Sequence, residues 1–230
     1  MLAERIRTVA EAGSTNDEVA ALSRGGAPEG LWLRAERQTG GRGRKGRAWA
    51  SPPGNLYAST LVRPRAGDPA APSLALAAAV ALHEVVSLYA AGVTIKWPND
   101  LVAGGAKLSG ILLERAEDAV VIGFGVNLAH HPTHLDRPAT SLAALAGAAP
   151  AAGDFAEQLA DAFARWLSAW RHGLARVRVA WLAAAYPVGT ALSTPEGEGL
   201  FDGLDETGAL RLRLADGLSR VIHAGDVFLL

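Results

Sequence analysis

The feature that most constrains the fold is a glycine- and arginine-rich run over residues 38–49, which stands between two strand-like segments. Its Gly41-x-Gly43-x-x-Gly46 spacing satisfies the dinucleotide-binding pattern. That pattern requires a helix directly after the glycines, because the amino terminus of the helix faces the pyrophosphate. Here Pro52-Pro53-Gly54 and a strand-like segment follow instead. The run therefore argues against a Rossmann-type fold and indicates a loop that bridges two strands.

Short apolar segments on both sides of this loop predict a sheet. Strand-like alternation occurs over residues 5–9, 31–38 and 55–62, and a short helix is predicted from the cap residues 13–16 to about residue 23. An alanine- and leucine-rich stretch predicts a long buried helix over residues 73–90. Four further strands are predicted at 94–97, 101–102, 108–114 and 119–126, with Gly104-Gly105 as a hairpin turn. We expect a mixed or antiparallel sheet.

The carboxy-terminal third changes character at Pro187. Before it, helical spacing of apolar residues predicts helices over 155–173 and 177–185. After it, glycine-punctuated alternating segments at 190–193, 199–204, 209–214 and 219–223 predict a small all-β appendage. The sequence therefore predicts two domains, residues 1–186 and residues 187–230.

Composition excludes several classes of protein. The 230 residues are half apolar and contain no cysteine, which excludes disulfides, thiolate metal sites and a cysteine nucleophile. The amino end lacks the apolar run of a signal peptide, and the longest apolar stretch, residues 74–82, is too short to span a bilayer. We expect a cytoplasmic protein without a membrane partner. The net charge of −1 predicts no general affinity for nucleic acid.

One segment breaks this charge balance. Six basic residues fall between positions 34 and 47, opposed within the segment only by Glu36. Alternating glycine and arginine suits a phosphate or carboxylate, because glycine lets the backbone approach and guanidinium groups bind the oxygens in pairs. A solvated basic turn and a grip for single-stranded nucleic acid remain open at this point.

Five segments together carry a resemblance to a known family. In order and spacing, the sequence resembles the catalytic region of biotin–protein ligases across nearly its whole length. The matching segments are Ser14-Thr15-Asn16, residues 41–49, Lys96-Trp97-Pro98-Asn99-Asp100, Lys107-Leu108-x-Gly110-Ile111-Leu112-x-Glu114 and Gly123-x-Gly125-x-Asn127-Leu128. The resemblance implies an α+β fold of class II synthetase type, a mixed and largely antiparallel sheet flanked by helices. It also implies a small SH3-like β-barrel at the carboxy end, whose usual signature residues 203–210 resemble.

The resemblance implies an ATP-dependent ligase. Such an enzyme forms biotinyl-5'-AMP from biotin and ATP, and then transfers biotin to a lysine of a biotin carboxyl carrier protein domain. ATP and Mg²⁺ are expected as co-substrate and metal, without a tightly bound prosthetic group. Family members that act as repressors carry an amino-terminal winged helix, for which the residues before Ser14 leave no room. We therefore expect no DNA partner, and a homodimer through a free sheet edge stays open.

The same resemblance assigns the site residue by residue. The residues expected to act in catalysis are Lys107, Arg44, Lys96 and Asp100. The residues expected to bind biotin or the adenylate are Ser14, Thr15, Asn16, Gln38, Gly41, Arg42, Gly43, Arg44, Arg47, Trp49, Lys107, Gly110 and Asn127. Asn99 and Asp100 are the expected Mg²⁺ ligands, or else orient the acceptor amine.

Structural roles compete with these assignments at several positions. Thr15-x-x-Glu18 has the pattern of a capping box. Trp49 could cover the adenine or pin the loop to the core, and Asn99 with Asp100 could form an ordinary Asx turn. A metal site at His130, His131 and His134 is rejected, because Pro132 interrupts any helix that would align them and Asp136 is the one carboxylate nearby.

Two rival functions are weaker. Lipoate–protein ligases share the fold and the adenylate chemistry, but they usually carry an Arg-Arg-x-x-Gly-Gly-Gly run, which is absent here. A non-catalytic nucleic-acid binder would explain the arginine loop alone. The balanced net charge and the other four segments argue against it.

Overall fold

One seven-stranded mixed sheet dominates the structure, a computed structural model that describes residues 5–133 and 137–229. Its strands, in chain order, are β1 (Ile6–Ala12), β2 (Trp32–Gln38), β3 (Leu56–Val62), β4 (Val93–Lys96), β5 (Asp100–Ala103), β6 (Ala106–Ala116) and β7 (Ala119–Val126). Their spatial order is β1-β2-β3-β7-β6-β5-β4, with β1 and β2 parallel and the other neighbours antiparallel. The predicted mixed, largely antiparallel sheet is confirmed.

Helices cover both faces of this sheet. The helices are α1 (Thr15–Arg24), α2 (Leu74–Val86), α3 (Leu142–Ala146), α4 (Ala152–Arg171) and α5 (Leu174–Ala184). On one face α2, α4 and α5 close the main core, where the Trp32 ring lies 5.5 Å from Phe124 and 5.9 Å from Phe163. On the other face α1 packs through Val19 onto strands β2, β3 and β7. That second face is left open over β6, β5 and β4.

A second, five-stranded antiparallel sheet follows α5. It consists of β8 (Ala191–Thr194), β9 (Gly197–Leu204), β10 (Leu210–Arg213), β11 (Ser219–Ile222) and β12 (Phe228–Leu229). The small sheet packs against the large unit, because Tyr186 and Phe201 meet edge to face at 4.7 Å. Trp97 Nε1 also donates a hydrogen bond to the Gly208 carbonyl at 3.2 Å. The predicted β appendage is present, and the sequence had missed α3 and β12.

Strand register aligns one row of residues on the open face. The pairs are Tyr57 with Gly125, Gly125 with Gly110, Gly110 with Asp100 and Asp100 with Lys96. Residues paired across strands point to the same side of a sheet, so all five share this face. Two glycines in the middle of the row leave a shallow floor between Tyr57 at one end and two charged side chains at the other.

A β-bulge at Leu108 places Lys107 on the same face. Leu101 pairs with Ser109, whereas its neighbour Val102 pairs with Lys107, so Leu108 is the extra residue in β6. In a regular strand Lys107 and Gly110, three residues apart, would point to opposite faces. The bulge reverses this, and a Cβ on Gly110 would lie 3.2 Å from Lys107 Nζ. The lysine therefore crosses the open face directly above a glycine.

The helices were also searched for a candidate membrane span. Among the described residues, none is both long enough and apolar enough to cross a bilayer.

Candidate active site

The open face of the large sheet forms the floor of a cavity of about 1140 Å³. Every residue that the sequence predicted for the site lines this cavity. These residues are Ser14, Thr15, Asn16, Gln38, Gly41, Arg42, Gly43, Arg44, Arg47, Trp49, Lys96, Asn99, Asp100, Lys107, Gly110 and Asn127. Segments far apart in the chain are thus brought to one place, although their individual roles stay predictions.

The glycine- and arginine-rich loop is a small hairpin at the cavity mouth. The Gly43 amide donates to the Arg47 carbonyl at 2.8 Å, and the Trp49 amide donates to the Gly41 carbonyl at 2.9 Å. At its tip Lys45 and Gly46 have positive φ angles of 57° and 71°. Left-handed backbone at two successive residues lets the chain reverse tightly. The basic side chains at the base of the hairpin and those at its tip contact different parts of the molecule.

Arg42 anchors the base of this hairpin. Its guanidinium donates to Asp17 Oδ2 at 2.6 Å and to Glu114 Oε1 at 3.2 Å. The hydrogen bond from Arg42 lowers the pKa of the Asp17 carboxyl, and both carboxylates raise the pKa of Arg42. Because two anions already neutralise Arg42, the structure gives it a loop-holding role. Its predicted contact with substrate stays a prediction.

Asp226, in the small unit, holds the tip of the same hairpin. Its carboxylate lies 2.7 Å from Arg47 Nη2, 3.3 Å from Lys45 Nζ and 3.6 Å from Arg44 Nη1. Burial alone would raise its pKa, but hydrogen bonds from Arg47 and Lys45 outweigh burial and lower the pKa of Asp226 to about 2. We call these three ion pairs the Asp226 latch.

We expect Asp226→Asn to loosen the hairpin. The pKa of Asp226 lies below its ordinary value of 3.8. The latch therefore stabilises the closed hairpin fully above about pH 4, and this stabilisation is lost as the pH falls through 2. At neutral pH the substitution removes the full effect. Trypsin cleavage within the hairpin, which contains four basic residues, should accelerate about threefold to tenfold. Asp202→Asn, which breaks an ion pair in the small unit with Arg211, is the control. An unchanged cleavage rate would show that the latch does not restrain the hairpin.

Uncharged polar groups line the end of the cavity near β2. Gln38 Oε1 accepts hydrogen bonds from the Thr15 amide at 2.8 Å and the Thr15 hydroxyl at 3.2 Å. Gln38 Nε2 donates to Ser51 Oγ at 3.1 Å, and Ser59 Oγ lies 2.7 Å from both Thr15 Oγ1 and Asn16 Oδ1. This neutral network presents donors and acceptors on rigid elements. Ser51 and Ser59 were not predicted, because single serines in a loop or strand carry no sequence signal.

The capping box predicted at the start of α1 does not form. Thr15 is the first helical residue rather than the cap, and Ser14 takes the cap position without a side-chain capping bond. The Thr15 hydroxyl bonds instead to Gln38. The Thr15 side chain therefore belongs to the cavity network, and the capping box predicted for Thr15 and Glu18 was wrong, whereas Ser14 does occupy the N-cap position.

Gly123 makes room for this network. A Cβ at Gly123 would lie 2.2 Å from Asn16 Oδ1, closer than any real contact. Asn16 Nδ2 in turn donates to Glu114 Oε2 at 2.7 Å, which links the network to the anchor of Arg42. Glu114 belonged to a matched segment but was not predicted for the site.

Gly123→Ala should therefore destabilise the protein by about 2–4 kcal/mol, through overpacking and loss of the buried Asn16 hydrogen bonds. Urea unfolding measures this directly. Gly153→Ala is the matched control, since Gly153 lies in α4 with nothing within 4 Å of its Cβ position. That change should raise stability by about 0.5–1 kcal/mol. Equal stability of the two variants would contradict the assigned packing.

Trp49 lies on the glycine floor. A Cβ at Gly125 would come within 2.7 Å of the Trp49 ring, and one at Gly110 within 3.5 Å. Lys107 Nζ stands 5.4 Å from the ring centroid, within range of a cation–π contact. Among the described residues, the buried Trp49 Nε1 has no hydrogen-bond partner. The ring pins the hairpin to the sheet, as one of the two predicted alternatives requires, while adenine stacking stays a prediction.

Charged residues gather at the other end of the cavity, over β5 and β4. Asp100 Oδ1 lies 2.6 Å from Lys107 Nζ, and Asp100 Oδ2 lies 3.5 Å from Lys96 Nζ. Burial lowers the pKa of Lys96, and the nearby cations Lys107 and Arg137 lower it further against the opposing effect of Asp100. The lysines and Asp100 are thus coupled in one charged group. Arg137 was not predicted for the site.

The predicted Mg²⁺ ligands are already engaged in this structure. Asn99 Nδ2 donates to the Ile111 carbonyl, and Asn99 Oδ1 accepts from Arg44 at 3.4 Å. Both Asp100 oxygens face ammonium groups. This donor set does not fit direct coordination of a resident Mg²⁺, and the assignment stays a prediction.

No cluster of three or more histidine or acidic residues that could hold a metal occurs in residues 5–133 and 137–229. Within these ranges His131 Nδ1 lies 3.1 Å from Ser141 Oγ. His134 and Asp136, which also entered the rejected metal-site interpretation, lie outside the described residues.

Asn127 supports the cavity wall through hydrogen bonds to backbone groups. Its Nδ2 donates to the Thr140 carbonyl at 3.0 Å, and its backbone amide donates to the Leu108 carbonyl at 3.0 Å. The Lys107 amide donates to the Pro138 carbonyl at 2.8 Å in the same region. Residues 138–140 are thereby tied beside the β-bulge. A substrate contact for Asn127 stays a prediction.

Comparisons with known proteins identify the family of this chain. Residues 14–127 match the biotin/lipoate A/B protein ligase family, and residues 190–230 match the biotin protein ligase C terminal domain. The chain is 39% identical to a biotin–[acetyl-CoA-carboxylase] ligase of Paracoccus denitrificans, over 96% of this chain and 98% of that relative. The chain belongs to the biotin protein ligase family. A Mycobacterium tuberculosis ligase of the same description is 36% identical, over 97% of this chain and 88% of that protein.

Solved structures of biotin protein ligases share the fold. The enzyme of Aquifex aeolicus, in complex with biotin and ATP, superposes with a TM-score of 0.89 at 24% identity, over 98% of this chain and 99% of that one. The enzyme of Leishmania major, in complex with biotinyl-5-AMP, gives 0.69 at 26% identity, over 95% of this chain and 98% of that one. The predicted α+β fold with a small SH3-like unit is therefore confirmed for this biotin protein ligase.

Proposed function

We propose that this ligase condenses biotin with ATP to biotinyl-5'-AMP and pyrophosphate, and then transfers biotin to a lysine of a carrier protein. The observation that carries the proposal is a single cavity with a neutral polar end, a glycine floor and a cationic end. The names of the relatives and the ligands in the solved structures support the same two substrates.

The neutral end suits the ureido ring of biotin. That ring is uncharged and needs converging donors and acceptors, which Thr15, Gln38 and Ser51 offer around one point. Because these groups are tied to one another and to α1, they require little reordering on binding.

The cationic groups suit the reacting centre. In the first step a biotin carboxylate oxygen attacks the α-phosphorus of ATP, the bond to the β-phosphate oxygen breaks, and pyrophosphate leaves with that electron pair. Two anions must meet, so fixed cations stabilise the transition state most. Lys107, above Gly110, and Arg44, at the cavity mouth, are the side chains we assign to this task.

In the second step a carrier lysine attacks the acyl carbon and AMP leaves. The incoming ammonium must first lose a proton. Asp100 is the carboxylate of this cavity corner, and we assign it to receive or orient that amine. Lys96, whose pKa is lowered, stands beside it. Mg²⁺ enters as part of the ATP substrate, and no step depends on Asn99 or Asp100 as its ligand.

The small sheet forms a separate domain in this proposal, residues 187–230, beside a catalytic domain of residues 1–186. Its five strands and the family match over 190–230 support the division near Pro187. The acceptor we propose is the biotin carboxyl carrier domain of a biotin-dependent carboxylase, on the printed names of the relatives.

The test is pyrophosphate release from Mg-ATP by the purified protein, with biotin or lipoate as the acid and a carrier domain added afterwards. We expect release with biotin, and labelled carrier on its addition. Release that depends on lipoate would favour the rival ligase. Absence of release with either acid, from a folded protein, would contradict the proposal.

A further inference from the structure

Arg137, at the charged end of the cavity, contacts the Phe228 ring of the small unit. The Arg137 guanidinium carbon lies 4.2 Å from the Phe228 centroid, and Lys96 Nζ lies 5.9 Å from the same centroid. Arg137 also lines the cavity. A flat guanidinium stacked on an aromatic face is held in orientation while its donors stay available for another partner.

Charge in this corner is unbalanced. Among the described residues it gathers three cations, Lys96, Lys107 and Arg137, around the single carboxylate of Asp100. Lys96 is largely buried, and both other cations act against its charge. Like charges held together in a partly desolvated site repel one another, and a polyanion removes that repulsion on binding.

The position of the corner narrows the choice of anion. Gln38 ends β2, whereas Lys96 ends β4, five strands away across the sheet. At about 4.8 Å per strand, the two ends are separated by roughly 24 Å. If biotin binds at the neutral end as proposed, its carboxylate and the α-phosphate meet near Lys107, between the two ends. The charged corner at β4 is then the place for the β- and γ-phosphates.

We infer that Arg137 binds the terminal phosphates of ATP, and the pyrophosphate they become, while Phe228 positions its guanidinium. The inference rests on the proposed function for the identity of the nucleotide. It adds one substrate-binding residue, and one positioning residue from the small unit, to the sites predicted from the sequence. Through its contact with Arg137, Phe228 of the small unit would act on leaving-group binding without touching the phosphates itself.

Arg137→Gln tests this, because glutamine keeps length and polarity but removes the charge. We expect the KM for Mg-ATP to rise about tenfold to a hundredfold, and calorimetric affinity for inorganic pyrophosphate to fall by a similar factor. Affinities for biotin and AMP should change less than about twofold, because neither carries the terminal phosphates. Arg211→Gln, on β10 outside the cavity, is the matched control.

Two further variants separate binding from packing. Arg137→Lys keeps the charge and should retain most of the pyrophosphate affinity. Phe228→Leu keeps apolar bulk but removes the aromatic face. Its loss of pyrophosphate affinity should therefore be larger than that of Arg137→Lys and smaller than that of Arg137→Gln. Melting temperatures should match the wild type. If Arg137→Gln does not fold, the ranking of these two variants against the wild type carries the test.

Several results would overturn the inference. One is an unchanged affinity for pyrophosphate in Arg137→Gln. Others are equal losses of affinity for AMP and for ATP, or a loss of affinity for biotin alone. A further one is slower transfer to the carrier with normal ATP binding. The last result would assign Arg137 to the carrier surface. Failure of the proposed function is a separate outcome, since a wild type without biotin-dependent release can still bind pyrophosphate through Arg137.

Discussion

Lys107→Ala should abolish adenylate formation while leaving the fold intact. Lys107 Nζ lies over Gly110 and beside Asp100, where the proposed reaction would develop charge on the reacting oxygens. Removing one fixed group that stabilises such charge lowers kcat by about a hundredfold to a thousandfold. Biotin-dependent pyrophosphate release in a single turnover measures the effect. Because the side chain is 37% exposed, the midpoint of urea unfolding should barely move.

Arg115→Ala is the matched control for this variant. Arg115 lies on the same strand, β6, but its side chain is exposed and bonds to the Glu117 carbonyl outside the cavity. Its release rate should equal that of the wild type. Near-normal adenylation in Lys107→Ala would remove Lys107 from the reaction and return it to the surface role that a lone strand lysine ordinarily has.

Arg44→Ala should weaken retention of biotinyl-5'-AMP by about tenfold to a hundredfold, the cost of losing a charge-assisted bidentate contact. Arg44 Nη1 and Nη2 each lie 3.1 Å from the Gly225 carbonyl oxygen, a neutral acceptor that an anion can replace. Calorimetry with biotin, and the dissociation rate of preformed adenylate, measure the loss. The fold should be unaffected.

The hairpin should remain closed in this variant, because Arg47 keeps its 2.7 Å contact with Asp226. Trypsin cleavage after the remaining residues Lys45 and Arg47 that is no faster than in the wild type would establish that point. The loss of affinity could then be assigned to the Arg44 guanidinium. Arg37→Ala, with an exposed side chain paired to Glu11 on the adjacent strand, is the control. Unchanged adenylate retention in Arg44→Ala would contradict the assigned contact.

Local patterns were sufficient for most of the fold. Short apolar segments predicted every strand of the large sheet, because these strands contribute buried side chains to the cores on its two faces. Strand β12 and helix α3 were missed because they have only two and five residues, too few for periodicity to register. Strand bounds in the large sheet differ from the predicted ones by at most three residues, since pairing partners rather than local composition decide where a strand ends.

The candidate site was predictable only where a motif marked it. Lys107 and Gly110 were found through their segment, but no pattern announces the bulge that turns both toward one face. Asp226 and Asp17 were missed because their partners are brought close by tertiary folding alone. The excess positive charge of the loop was visible in the sequence. Its counter-ions were not, because electrostatic pairing has no fixed spacing along the chain.

The Asp226 latch makes the order of synthesis matter. Asp226 follows Arg47 by 179 residues, so a nascent chain exposes the basic hairpin long before its counter-ion emerges from the ribosome. During that interval the three cationic side chains of the latch lack this carboxylate. The latch can therefore form only after the small sheet has been synthesised and has packed against the large unit. A chain that stops before Asp226 would have the cavity residues but not the ion pairs that hold the hairpin over them.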